Sequence, residues 1–185
     1  MRAFLLLLCL WALPAAAQPV PYDLDRENSL VAFRFDLAGD TVKGNMPVAS
    51  ANILLDTENL PATSGTVTLS PGDAVTEIGF ATDAMLGANV LNTEQFPEIK
   101  FQTTAVRGTF SKGEVDGLLT VRGVTRPVTM DAQVFRQRGT DSGDLSRLSI
   151  LFTGTINRDD FGASGFPQFV GPEIEIEVLT RLTRR

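Results

Sequence analysis

Apolar and polar residues alternate with a period of two along much of this chain, and no other feature of the sequence restricts its fold as strongly. Such alternation is typical of β-strands that bury one face and expose the other. In the first run Val31, Phe33 and Phe35 share one face, and Arg34 and Asp36 lie on the other. Similar runs cover residues 99–105, 128–134 and 174–178, and β-branched residues favour further strands at 51–56, 64–70, 114–122 and 147–157. The chain is therefore predicted to be all-β.

Turn residues separate these runs. Lys112-Gly113 and Arg122-Gly123 are predicted to form hairpin turns, and residues 139–144 are predicted to form a polar loop. Pro127 follows the second turn closely, so it is predicted to start a strand rather than to lie within the hydrogen-bonded ladder.

Residues 82–95 depart from the alternation. Their apolar side chains, among them Met85 and Leu91, recur at the spacing of one helical face, and Thr82 or Asp83 is placed to cap the start. Gly87 interrupts the pattern, so a short helix is predicted. About eight antiparallel strands with one short helix predict an antiparallel eight-stranded barrel that forms a single domain.

The first 17 residues are predicted to be a secretory signal peptide. Arg2 supplies the positive start, residues 4–13 the apolar stretch, and residues 15–17 the small side chains of a cleavage site. The apolar stretch is far shorter than the roughly 20 residues of a transmembrane helix. Cleavage after Ala17 is expected to leave a domain of residues 18–185 with no stable membrane anchor.

The residue types argue against catalysis and against metal binding. The chain contains no histidine, and its one cysteine, Cys9, falls in the predicted signal peptide, so imidazole and thiolate chemistry are both excluded from the predicted domain. Asp141 and Asp144 lack the spacing of a calcium loop, and residues 162–165 lack the pattern of a nucleophile elbow. The net charge of −6 argues against a nucleic-acid partner.

An eight-stranded barrel has an interior that side chains fill or that one small ligand occupies. Small residues at inward positions (Ala105, Gly117, Ala132 and Gly154) beside phenylalanines would leave room for a cavity, whereas phenylalanines at alternating strand positions are more often plain core, so the pattern leaves both interiors open. The predicted ligand-binding residues are the inward strand positions and one helix face: Phe33, Phe35, Phe80, Met85, Leu86, Leu91, Phe101, Val121, Met130, Ile150, Phe152 and Phe161.

Four blocks in fixed order carry a resemblance to a known family. They are residues 22–33, 92–101, 117–128 (Gly-Leu-Leu-Thr-Val-Arg-Gly-Val-Thr-Arg-Pro-Val) and 156–162, the last with an Asn-Arg-x-x-Phe-Gly pattern. With these blocks the sequence resembles the YceI-like polyisoprenoid-binding proteins, which are exported bacterial proteins with a lipocalin-like barrel. There are two departures from the family pattern. Asn28 stands where a histidine is common, and the helix reads Thr82-Asp83-Ala84-Met85-Leu86 where Arg-Asp-x-His-Leu is common.

The resemblance implies a periplasmic protein whose barrel encloses an isoprenoid lipid, such as a quinone or a polyprenyl phosphate, for transport or storage. The lipid would be a ligand, and no cofactor is expected. Arg34, Arg126 and Arg158 are candidate head-group contacts, with alternative roles as an exposed strand residue (Arg34) or as braces of turns through carboxylate pairs (Arg126 and Arg158). A homodimer is left open. The alternative function is a structural or stress-response module with a packed barrel that acts through a protein partner.

Overall fold

The computed structural model describes residues 18–137, 139, 141 and 143–185, so the predicted signal peptide lies outside the described residues. The described part of the chain forms eleven strands and one α-helix. The strands are β1 (Val20–Leu24), β2 (Leu30–Leu37), β3 (Asp40–Asn45), β4 (Val48–Leu55), β5 (Ser64–Leu69), β6 (Val75–Thr76), β7 (Ile99–Gly108), β8 (Lys112–Val121), β9 (Val124–Arg136), β10 (Arg147–Asn157) and β11 (Val170–Arg184). The helix α1 covers Gly79–Leu86, and short 3-10 turns lie at Leu60–Ala62, Pro71–Asp73 and Arg158–Phe161.

Eight of these strands close into a ring, which confirms the predicted antiparallel barrel. The order is β1-β4-β5-β7-β8-β9-β10-β11, and β1 pairs with both β4 and β11. Strand β11 is 15 residues long, so it pairs with β1 near Leu182 and with β2 from Val170 to Leu179. Strands β3 and β6 extend the sheet beyond β2. At about 3.3 Å per residue, Val170 and Leu182 lie about 40 Å apart along β11, at opposite ends of the barrel.

A bulge in β7 corrects one predicted inward position. The register between β7 and β8 shifts between Thr103 and Ala105, so that Ala105 lies opposite Asp116 and Val106 lies opposite Val115. The extra residue turns the alternation over. Ala105 is therefore not on the inner face, and Val106 replaces it there.

The helix lies earlier in the chain than predicted. It begins at Gly79 and ends at Leu86, whereas the sequence placed it within 82–95. Thr82 does not cap its start but lies inside it, where its hydroxyl oxygen accepts from the Thr76 backbone N–H at 2.9 Å. After Leu86 the backbone leaves the helical conformation, since Gly87 is extended with φ −67° and ψ 168°.

One predicted hairpin turn is confirmed and the other is displaced. Arg122 and Gly123 join β8 to β9 with φ values of 50° and 75°, the geometry of a two-residue type I′ turn. Lys112 and Gly113 instead lie within β8, because the preceding turn is closed by two backbone hydrogen bonds between Thr109 and Lys112.

Pro127 lies inside β9 rather than at its start, opposite Leu118 of β8. The described pairing of β9 with β10 begins only at Asp131. The missing N–H of the proline is tolerated because, among the described residues, no strand pairs with β9 on its other side at that point.

The barrel interior contains two apolar clusters, one toward each end. The first cluster closes the Leu182 end and consists of Tyr22, Leu55, Val115, Ala132, Leu148, Ile150 and Leu182. The second cluster consists of Val31, Met46, Ala74, Ile99, Leu119, Val121 and Phe161. Phe101 packs against both clusters and so joins them.

Tyr22 makes the first cluster sensitive to alkaline pH. Its side chain is buried, and its hydroxyl donates to the Leu145 carbonyl oxygen at 2.8 Å. Burial is the largest cause of a pKa raised above the ordinary value of 10.0. The folded state therefore favours the protonated hydroxyl of Tyr22. The stabilisation that this protonated side chain gives the fold is complete below pH 10.0 and is lost as the pH rises through the pKa of the folded state.

The Tyr22→Phe variant is expected to lose about 1 kcal/mol of unfolding free energy at neutral pH, because one hydrogen bond disappears. The difference from the wild type should shrink as the pH rises above 10.0. Urea unfolding of both proteins across this range measures it, and tyrosinate absorbance reports the ionisation directly because Tyr22 is the only tyrosine in the sequence. If the difference in unfolding free energy between the two proteins does not change with pH, the raised pKa of Tyr22 is contradicted.

Candidate ligand-binding cavity

The barrel encloses a cavity of about 700 Å³ that extends between the two apolar clusters. This volume lies within the roughly 300–1,000 Å³ range of small-molecule binding sites. Its wall comes from strands around the whole barrel and from α1, and among the described residues Arg158 is the only charged residue on it. A cavity with such a wall favours an apolar occupant.

Eleven of the twelve residues predicted from the alternating pattern line this cavity. They are Phe33, Phe35, Phe80, Met85, Leu91, Phe101, Val121, Met130, Ile150, Phe152 and Phe161. Leu86 is the exception, because its side chain packs against the second apolar cluster rather than on the cavity wall. Contact of any of these residues with a ligand stays a prediction.

Glycines on the inner face make room for this cavity. The ring of Phe101 lies over Gly117, and the ring of Phe33 lies over Gly44, at positions that a Cβ would occupy. Met130 Sδ would likewise lie 2.6 Å from a Cβ at Gly154. The glycines are thus covered by neighbouring side chains, which settle against the barrel wall instead of projecting into its centre.

Arg158 is buried at the open end of the cavity and holds the loop that follows it. Its Nη1 donates to the carbonyl oxygens of Ala163 at 2.7 Å and Gly165 at 2.8 Å. Its Nη2 donates to Val170 and its Nε to Gly171, both at 3.0 Å. Burial lowers the pKa of this guanidinium, which remains charged at neutral pH. The residue braces a turn as the alternative interpretation expected, but through backbone carbonyls and not through carboxylates.

The other two candidate head-group residues lie away from the cavity wall. Arg34 lies on the outer face of β2, where its guanidinium contacts Glu177 at 2.8 Å and Glu175 at 3.4 Å. Arg126 is exposed and donates to the Thr125 carbonyl oxygen at 3.3 Å. Of the three arginines, only Arg158 reaches the cavity.

Three phenylalanines form a rim at the open end: Phe80 on α1, and Phe166 and Phe169 on the loop after Arg158. All three line the cavity and are also exposed, by 69%, 38% and 53% respectively. The sequence reasoning found Phe80 but missed Phe166 and Phe169, because the loop that carries them has no periodic pattern. The only available signal was its position after the Asn-Arg-x-x-Phe-Gly block.

The two departures from the family pattern have different positions. The Asn28 amide donates to the Asp25 carboxylate at 2.8 Å in the exposed turn between β1 and β2. Met85 lines the cavity, so the helix contributes an apolar wall there. The described residues contain no cluster of metal-binding side chains, and none of the described helices combines the length and apolar character needed to cross a membrane.

Comparison with known proteins agrees with this architecture. The YceI-like domain matches residues 22–182. A UPF0312 protein of Pseudomonas putida (strain GB-1) is 42% identical over 79 residues, which cover 42% of this chain and 41% of that relative, so the match spans less than half of its length. Protein YceI of Salmonella arizonae is 28% identical over 149 residues, which cover 79% of this chain and 78% of that protein.

Solved structures share the fold. Burkholderia cenocepacia BcnA superposes with a TM-score of 0.74 at 18% identity, covering 86% of this chain and 99% of BcnA. The Campylobacter jejuni YceI protein gives a TM-score of 0.62 at 15% identity, covering 100% of this chain and 99% of that one. With a domain match across nearly all of the described residues and the same closed barrel, this chain belongs to the YceI-like family.

Proposed function

We propose that this protein binds a long isoprenoid lipid inside its barrel and carries or stores it outside the cytoplasm, without catalysing a reaction. The observation that supports this proposal most directly is the cavity of about 700 Å³ inside the barrel, whose wall is almost entirely hydrocarbon. The resemblance of the sequence blocks to polyisoprenoid-binding proteins supports the choice of isoprenoid among apolar lipids.

The physical chemistry of the wall favours a long hydrocarbon tail. Each methylene group removed from water contributes about 0.8 kcal/mol, so a long tail binds strongly without directional contacts. The wall offers few groups that a polar or charged ligand needs, because the Arg158 guanidinium is already engaged by four carbonyl oxygens. Selection among lipids is then set by the length and width of the cavity.

The cavity also weighs against the alternative of a packed barrel that acts through a protein partner. In a packed barrel, Phe101 would fill the centre, whereas its ring lies against the wall over Gly117. Carriage outside the cytoplasm is supported by the predicted signal peptide.

Native mass spectrometry of the full chain expressed in an exporting bacterial host tests the proposal, followed by lipid extraction from the same preparation. The expected result is a protein that starts at Gln18 and holds a mass matching a quinone or another polyprenyl lipid. A protein that is free of lipid and takes up no added polyprenyl lipid would overturn the proposal. An intact N-terminal segment on the protein would overturn the predicted cleavage.

A further inference from the structure

We propose that the rim formed by Phe80, Phe166 and Phe169 docks on lipid bilayers whose zwitterionic head groups carry no net charge. The barrel would receive its ligand from such a bilayer. This inference rests on the proposed function for its choice of partner, because a long isoprenoid lipid resides in a bilayer before it enters the cavity. The rim is the exposed continuation of the cavity wall, since all three side chains belong to both.

The loop keeps its phenylalanines exposed to solvent, although exposure of apolar side chains is unfavourable and Phe166 has a strained backbone conformation. Phe166 has a φ of 57°, in the left-handed region that non-glycine residues rarely adopt. The buried Arg158 fixes both ends of the loop, because it donates to two carbonyl groups within the loop and to two at the start of β11. The Phe169 carbonyl accepts from Ala38, and the Gly165 N–H donates to Asn89, so the loop is also tied to both neighbouring segments. An exposed aromatic cluster presented this firmly is typical of an interaction surface.

Charges on the three segments that carry or flank the rim select the partner. The exposed charged residues on α1, on residues 36–40 and on residues 158–170 are all acidic: Asp36, Asp40, Asp83, Asp159 and Asp160. The Asn89 segment adds one cation, Arg122, whose guanidinium donates to the Ala88 and Val90 carbonyl oxygens, so carboxylates still outnumber it around the rim. Carboxylates at the edge of the rim repel anionic lipid head groups, and the net charge of −6 adds to this repulsion. A second copy of the chain docked rim to rim would bring two such sets of carboxylates together. A zwitterionic bilayer avoids both repulsions and buries the phenylalanines.

Fluorescence of tryptophan variants tests where the protein contacts vesicles. Phe80→Trp places a reporter on the rim, and Phe135→Trp is the matched control, because Phe135 is 48% exposed and lies opposite Ser149 toward the Leu182 end. With phosphatidylcholine vesicles, the emission of the Phe80→Trp variant should shift to shorter wavelength and that of the Phe135→Trp variant should not. Equal shifts at both positions, or none at either, would overturn the proposal.

Vesicle sedimentation provides a second measurement that does not depend on bound lipid. Phe80→Ser/Phe169→Ser should reduce partitioning onto phosphatidylcholine vesicles by about tenfold or more, because two apolar side chains no longer enter the bilayer. Phe135→Ser should leave partitioning within about twofold. Replacing part of the phosphatidylcholine by phosphatidylglycerol should weaken binding at low salt.

The outcomes separate this inference from the proposed function. Stronger binding to phosphatidylglycerol vesicles, or self-association that the Phe80→Ser/Phe169→Ser variant abolishes, would overturn rim docking on neutral bilayers. A wild-type protein that carries isoprenoid lipid but does not bind phosphatidylcholine vesicles would also overturn it while leaving the proposed function standing. A protein that binds these vesicles through the rim but carries no lipid would overturn the proposed function alone.

Discussion

The Val67→Trp variant is expected to bind a polyprenyl lipid about 100-fold more weakly than the wild type, while its barrel remains folded. Val67 lies in β5 opposite Phe101 and lines the cavity, and its side chain is not part of either apolar cluster or of the residues packed against them. An indole at this position would extend into the cavity with little repacking. If it displaces three to four methylene groups of the ligand, about 0.8 kcal/mol each, the loss approaches 3 kcal/mol, or about 100-fold.

Thr66→Trp is the matched control, because Thr66 is the preceding residue on the same strand and is exposed on the outer face. It introduces the same side chain without reducing the cavity, so lipid binding should stay within about twofold of the wild type. Binding is measured by titration with a polyprenyl lipid, and folding by circular dichroism and thermal unfolding. Equal affinity in both variants, with both folded, would show that the lipid is bound elsewhere.

Arg158→Met is expected to lower the free energy of unfolding by about 3 kcal/mol. The substitution keeps most of the apolar volume but removes the donors to the carbonyl oxygens of Ala163, Gly165, Val170 and Gly171. Leaving a buried polar group without a partner costs about 1–3 kcal/mol, and relief of the buried charge offsets part of the total. Urea unfolding measures the loss, and amide hydrogen exchange should locate it in the loop after Arg158.

Two further variants show whether the charge of Arg158 or the geometry of its hydrogen bonds stabilises the loop. Arg158→Lys retains the charge but cannot reach four carbonyl groups with one ammonium, so most of the destabilisation should remain. Arg126→Met removes an exposed guanidinium with one hydrogen bond at 3.3 Å, and should change stability by less than about 0.5 kcal/mol. Full stability of Arg158→Lys would mean that the loop needs only a nearby positive charge.

Local breaks in the pattern explain most of the differences between the sequence-based predictions and the structure. The alternation placed Ala105 inward, but a bulge after Thr103 reverses the faces of β7, and the sequence of the strand does not mark the extra residue. The helix begins at Gly79, ahead of the predicted start, because the Thr76 and Thr82 hydroxyls organise the turn before it and no side chain forms a standard cap. In the first hairpin, Lys112-Gly113 has turn composition, yet pairing of Gly108 with Gly113 places the turn earlier.

The sequence by itself determined the all-β class, the closed eight-stranded barrel and eleven of the twelve predicted cavity residues. It could do so because a strand places alternate side chains on opposite faces, so that one-dimensional alternation already contains the inner wall of a barrel. Only the tertiary structure decided that the interior is open, because that depends on Phe33 and Phe101 lying over Gly44 and Gly117, which are distant in sequence. It also decided the role of Arg158 and the position of Phe166 and Phe169, because four backbone carbonyls brought together by a loop leave no pattern in the residue types.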